Sequence, residues 1–208
     1  MADKKKIVFG AASGIALAVG SMLTGLYKVE GDYSNHAADR GGATRFGVTE
    51  KVARADGYKG DMRVFPKNCF EGEKNTCADK IYYENYIVKP GFVPVIQLSG
   101  PVGEELFGSS VNFGPVRPSK WYQTSINSLC GTKLTVDGKL GAGTHAGAKA
   151  CQVKLGKKDF CIKMLDSLDA QQKARYYAIV AANPSQKVFI KGWLAHRIGN
   201  VDRKRCVN

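Results

Sequence analysis

The sequence predicts a mainly α chain with a small β contribution (α+β), arranged as two domains behind an N-terminal apolar helix. Three observations carry that prediction. Beyond residue 48, most of the chain divides into segments with helical spacing and helix-end signals. The Gly-, Asp- and Asn-rich stretch from Val29 to Val48 offers at most one short hairpin. Gly114-Pro115 and Pro118 then break the chain between two helical groups. With 208 residues, 44% hydrophobic and 24% charged, the chain can bury a core, which excludes a disordered, collagenous or polytopic membrane protein.

Lys4, Lys5 and Lys6 precede an uncharged stretch, Ile7 to Tyr27. At helical rise this stretch reaches roughly 30 Å, a bilayer's thickness. The lysines favour a cytoplasmic tail over residues 1–6, a signal-anchor over 7–27 and export of the remainder. The competing reading is a cleavable signal cut near Ala18-Val19-Gly20. As an anchor the span is weak: ten of its residues are large and apolar, and eleven are Gly, Ala, Ser or Thr. Each small residue adds almost no apolar area to hold it in lipid. Gly10, Gly14 and Ala18 also line up as a small-residue face suited to close helix packing.

Thr49 caps a short helix, Glu50 to Ala55, which Gly57 closes. Ala78 to Ile87 reads as a helix stopped by Lys89-Pro90-Gly91, and Val102 to Asn112 as a buried helix. After the break, Ser119 to Leu129 is helical, with Trp121, Ile126 and Leu129 spaced for one face. Leu134 to Gly138 reads as extended chain entering a turn. Three helices follow: Thr144–Leu155, Asp169–Ala182 with Asp169 as cap, and Gln186–Arg197. The domains are therefore 28–115 and 118–208.

Six cysteines, no CxxC pair and three histidines suit disulfides in an oxidising compartment better than a metal site, and no cofactor is expected. Cys69 and Cys77 fall before the break and are expected to pair. Cys130, Cys151, Cys161 and Cys206 fall after it, and three pairings stay open. Thirty-one Lys and Arg against eighteen Asp and Glu give a net charge of +13 and call for an anionic partner. Export keeps nucleic acid out of reach, and no recognised binding motif accompanies the charge. Peptidoglycan carboxylates and outer-membrane phosphates are sufficient targets.

The chemistry concentrates between Glu30 and Thr49. Glu30, Asp32 and Asp39 lie within ten residues of one another, among Gly31, Gly41, Gly42 and Gly47. One carboxyl at a helix end and another across a turn is what glycoside hydrolysis requires. The first protonates the leaving oxygen; the second activates water or stabilises the positive transition state. A solvated loop whose acids merely cap turns would look similar on spacing alone.

Glu30-Gly31-Asp32-Tyr33-Ser34-Asn35, followed by Asp39-Arg40-Gly41-Gly42-Ala43-Thr44-Arg45-Phe46-Gly47-Val48-Thr49, resembles the signature of glycoside hydrolase family 108. That family comprises peptidoglycan muramidases common among phage endolysins. More loosely, the block resembles the Glu…Asp…Thr triad of phage-type lysozymes. Val111-Asn112-Phe113-Gly114-Pro115 extends the resemblance. Val136-Asp137-Gly138-Lys139 and Lys191-Gly192-Trp193-Leu194 are similar to the peptidoglycan-binding domain that often follows.

The resemblance implies a lysozyme-like catalytic domain with a short β-hairpin, then a small helical wall-binding domain. Glu30 matches the catalytic acid, Asp39 the second carboxylate and Thr44 a water-positioning threonine. Tyr33 and Phe46 are expected to shield Glu30. Tyr33, Asn112, Trp121 and Trp193 are candidate substrate-binding residues. Asp32 stands where many relatives have glycine and is read as a neighbour that tunes Glu30; His36 and Arg40 are read as bystanders.

Only Lys28 and Val29 separate the apolar span from Glu30. In lysozyme-like folds the acid ends the first helix, and here the span is the only sequence available for that helix. The expected behaviour is signal-arrest-release. The chain is held inactive in the host inner membrane with its catalytic domain in the periplasm. It is then released, as a monomer, to cut the bond between N-acetylmuramic acid and N-acetylglucosamine and lyse the host. The rivals are a non-enzymatic wall binder, with Trp121, Tyr122 and Trp193 stacking sugars, and a lytic transglycosylase.

Overall fold

A computed structural model describes residues 14–30, 32–35, 42–69 and 76–207, with backbone alone for 14–17 and 28–30. The chain separates into two compact units, Met1–Val88 and Lys89–Asn208.

In the first unit, α1 runs from Gly14 to Glu30. Val19, Met22 and Leu23 are buried on it, and Gly20, Ser21, Thr24 and Gly25 are exposed. Spacing by three and four puts the large residues on one face. Four of the small residues that make the span a weak anchor, Gly20, Ser21, Thr24 and Gly25, thus lie on the solvent side of the described part of α1. Among the described residues no helix is long and apolar enough to cross a membrane, and residues 7–13 of the expected anchor lie outside them.

The stretch expected to hold at most a hairpin forms a three-stranded antiparallel sheet of β1 (Tyr33–Ser34), β2 (Thr44–Arg45) and β3 (Val48–Thr49). Ser34 pairs with Thr44, and Arg45 with Val48. Phe46 and Gly47 turn the chain between β2 and β3, both with positive φ, +52° and +75°. Such a turn matches the twist of its strands, but Phe46 bears a cost of about 1–3 kcal/mol that glycine escapes. α2 (Glu50–Ala55) follows at once, with the Thr49 hydroxyl accepting the Val52 N–H. α3 (Ala78–Tyr83) continues into a π-helical turn, Glu84–Val88, so the expected helix over 78–87 changes pitch after Tyr83. Cys69 is bonded to Cys77, the pair singled out from the sequence.

The second unit is helical: α4 (Val93–Leu98), α5 (Gly100–Phe113), α6 (Val116–Cys130), α7 (Ala142–Leu155), α8 (Lys157–Ala182) and α9 (Lys187–Arg197). Its core gathers Val102, Leu106, Tyr122, Ile126, Phe160, Met164 and Leu165, each no more than 1% exposed. α4 was not expected; a six-residue apolar helix leaves no periodic signal. It packs so closely on α5 that a Cβ at Gly103 would lie 2.4 Å from Ile96 Cγ1. α5 also packs on α6 and α8.

Pro118, expected as a breaker, sits in the first turn of α6, where its missing N–H leaves no bond unmade. The chain between Leu134 and Gly138 pairs into no strand and bends at Asp137 and Gly138. Asn127 holds it by donating to Leu134 O (2.9 Å) and accepting from Leu134 N (2.7 Å), while Gln123 accepts from Gly138 N (2.8 Å). Asp169 caps no helix, because α8 begins twelve residues earlier. It is buried in mid-helix, where Arg203 and the Gly199 N–H (3.0 Å) bond its carboxylate. The second unit's cysteines pair as Cys130–Cys151 and Cys161–Cys206.

Candidate active site

Glu30 is the last residue of α1, and β1 starts three residues later at Tyr33. The end of α1 is fastened by its neighbours. The Tyr27 hydroxyl donates to Asp79 Oδ1 on α3 at 2.5 Å. The Tyr27 ring meets Phe46 and Tyr82 edge-on, at centroid distances of 5.9 and 6.1 Å. Lys67 Nζ sits over the same ring, 4.4 Å from its centre, a cation–π contact.

The β2–β3 turn is locked from three sides. The Phe46 N–H donates to Asp32 O at 2.8 Å, the Tyr82 hydroxyl donates to Phe46 O at 3.1 Å, and the Arg45 guanidinium lies 4.9 Å from the Phe46 ring centre. These contacts explain how a phenylalanine is held at positive φ. Arg45 also donates to Asp32 Oδ1 at 3.1 Å and to Arg63 O. Asp32, read from sequence as tuning Glu30, is thereby engaged by an arginine across the sheet. Phe46 sits against Tyr27.

Thr44 lies on β2, half-buried, with its hydroxyl 3.4 Å from Gly42 O, and its strand pairs with β1 through Ser34. The strand that begins three residues after the acid and the strand carrying the threonine are therefore neighbours in one sheet. Tyr33 is 41% exposed on β1. Asp39, with His36 and Arg40, lies outside the described residues. Among the described residues no group of three or more His, Cys, Asp or Glu could hold a metal ion.

The remaining candidates lie in the second unit. Asn112 is exposed near the end of α5 and donates to Gly108 O at 3.0 Å. Trp121 meets Phe113 edge-on at 5.4 Å; Phe113 contacts Tyr176 at 5.2 Å, and Tyr176 stacks on Trp193 at 5.0 Å. Both tryptophans thus belong to one chain of rings, each half-buried.

Sequence reasoning did not find Asp79, Arg45 or Lys67. Asp79 lies 52 positions from Tyr27, and no local pattern connects them.

Residues 23–114 match the family model described as Glycosyl hydrolase 108, and residues 117–198 match Predicted Peptidoglycan domain. No curated protein matches the chain. Among solved structures, SagA of Brucella abortus is similar, with a TM-score of 0.62 and 23% identity, over 92% of this chain and 94% of that one. At that identity the likeness speaks for a shared fold.

Proposed function

We propose that this chain, which belongs to the glycosyl hydrolase 108 family and carries a peptidoglycan domain behind it, is a muramidase with Glu30 as its general acid. The family makes it a glycosidase, and the second domain directs it to peptidoglycan. The observation that carries the finer reading is positional. Glu30 closes α1, and the adjoining sheet brings Thr44 beside the strand that leaves it.

In the proposed reaction Glu30 gives its proton to the oxygen linking N-acetylmuramic acid to N-acetylglucosamine as that bond to the sugar carbon breaks. Asp39 supports the positive sugar carbon or takes a proton from the attacking water. Thr44 orients that water, whose oxygen forms the new bond; one of its protons goes to Asp39 or, where Asp39 only supports the charge, back to the Glu30 carboxylate, and the other stays on the new hydroxyl.

We further propose that the chain is a phage endolysin delivered by signal-arrest-release. The 7–27 span holds it transiently in the host inner membrane with the N-terminus in the cytoplasm. On release into the periplasm the span contributes α1, and the monomer lyses the host. That α1 takes in residues 14–27 of that span, with Gly20, Ser21, Thr24 and Gly25 facing solvent, supports this reading.

Glu30→Gln tests the chemistry. A loss of about 10²- to 10⁴-fold in the release of reducing ends from peptidoglycan, with wall binding retained, is the expected result. Unchanged clearing of cell walls would leave the wall-binding reading, and anhydro products from the parent protein would make it a transglycosylase.

A further inference from the structure

Among the described residues, α9 is the one α-helix of the second unit with no buried residue. The open stretch is longer than the helix: after Tyr176 no residue is buried until Val201. It nevertheless carries nine large apolar side chains, an unusual number to leave without a core.

The two sides of α9 differ. Ile190, Trp193 and Leu194, spaced by three and four, are half-buried, and the helix packs on α8. The other side would ordinarily be polar. Here Val188 and Phe189 are 76% and 52% exposed, beside the exposed Lys187 and Lys191. Val188 and Lys191 are three apart and so adjoin on the helix surface. Tyr177, near the end of α8, is also half exposed.

Charge narrows what can cover this face. Residues 170–201 carry Lys173, Arg175, Lys187, Lys191 and Arg197 and no Asp or Glu. A second copy packed symmetrically would set like charges against one another. A sugar stacked on Trp193 would compete with rings already there, since Tyr176 and Phe189 both stack on it, at 5.0 and 5.9 Å. An anionic lipid surface meets both requirements. Its phosphates attract the lysines, and the acyl boundary just beneath receives the apolar side chains.

We propose that α9 docks on the anionic phospholipid surface of a membrane. Val188 and Phe189 enter the headgroup boundary, and Lys187 and Lys191 lie along it with their ammonium groups at the phosphates. The docking involves no residue of the proposed cleavage and does not depend on it.

The chain has two tryptophans, so in Trp121→Phe the indole of Trp193 alone reports on α9. Vesicles of phosphatidylglycerol and phosphatidylethanolamine with brominated acyl chains should quench its emission, less so as salt rises, and brominated phosphatidylcholine should not. In that background, Val188→Ser with Phe189→Ser, and separately Lys187→Gln with Lys191→Gln, should each weaken binding at least about tenfold. All four side chains are exposed, so melting temperatures should stay near the parent's, separating lost binding from lost folding. The 7–27 span is the same in every variant, and its own affinity for lipid cancels. No quenching, equal quenching in neutral vesicles, or unchanged affinity in both double variants overturns the proposal. So does a dimer in sedimentation that Val188→Ser with Phe189→Ser dissociates, or a Trp193 response to soluble peptidoglycan with none to vesicles. Glu30→Gln should bind vesicles as the parent does, so docking and cleavage stand or fall separately.

Discussion

Tyr27 donates its hydroxyl to the carboxylate of Asp79, 2.5 Å away and 52 positions further along the chain. This bond fixes the last turn of α1 against α3, and Glu30 follows Tyr27 by less than one helical turn. A group that positions the end of a helix also positions what that end carries.

Tyr27→Phe keeps the ring contacts with Phe46 and Tyr82 and removes only the hydroxyl bond. A half-buried hydrogen bond to a carboxylate contributes about 1–2 kcal/mol, so urea unfolding should register a loss of that size. If Glu30 is the acid, kcat on peptidoglycan should fall while KM hardly moves, because the substrate contacts remain. A purely structural bond would lower stability and leave kcat alone.

The proposed release from a membrane can be tested apart from folding. A Cβ at Gly20 or Gly25 meets nothing within 4 Å, so larger residues have room to begin there in the folded unit. Gly20→Leu with Gly25→Leu adds apolar area to the 7–27 span on the face that α1 exposes. The double variant should stay in the membrane fraction and fail to lyse cells, yet cut peptidoglycan when purified in detergent. Lysis at the parent's rate would refute arrest and release.

Burial pushes the Glu105 carboxyl up to about 7, and the like charge of Asp169 adds to the shift; Ser109, donating at 2.9 Å, and Arg203 oppose it. The folded chain therefore keeps a proton that the unfolded chain, with an ordinary value of 4.5, has lost. This group's contribution to stability is complete below that ordinary value and disappears as pH rises through about 7. Glu105→Gln retains an acceptor for Ser109 and carries no charge. The variant should exceed the parent's stability by about 1–3 kcal/mol at pH 8 and match it near pH 5, as read by denaturant unfolding at both values.

The three disulfides close loops of different size, with separations of 8, 21 and 45 residues for Cys69–Cys77, Cys130–Cys151 and Cys161–Cys206. Loop entropy ranks their stabilisation at roughly 2.6, 3.4 and 4 kcal/mol. Replacing each pair by serines should lower unfolding free energy in that order. Cys161→Ser with Cys206→Ser should also loosen the segment that Arg203 and Arg205 clasp to Asp169, Asp166 and Glu104.

The parts legible in the sequence are those whose cause is local. Thr49 caps α2 because a hydroxyl can reach an N–H three residues on, and that geometry is written in spacing alone. α6 announces itself by the spacing of Trp121, Ile126 and Leu129, α5 by its apolar run, α7 and α9 by helix-end signals, and the Glu30–Thr49 block by its unusual density of acids and glycines. Asp169 misled for the same reason: by local rules an aspartate before a helical run is a cap. Here it is buried against Arg203, 34 residues away. α4 stayed hidden because six residues are too few to display a period.

By itself, then, the sequence determined a mainly helical, disulfide-bearing, basic chain, an apolar stretch closely followed by a glutamate, and the family that this glutamate's block resembles. Tertiary structure decided which face of that stretch is covered, which acid answers Tyr27, and how the four cysteines of the second unit pair. The reason is reach: caps and turns act over three or four positions, whereas burial and long-range bonds depend on residues that only the folded chain brings together.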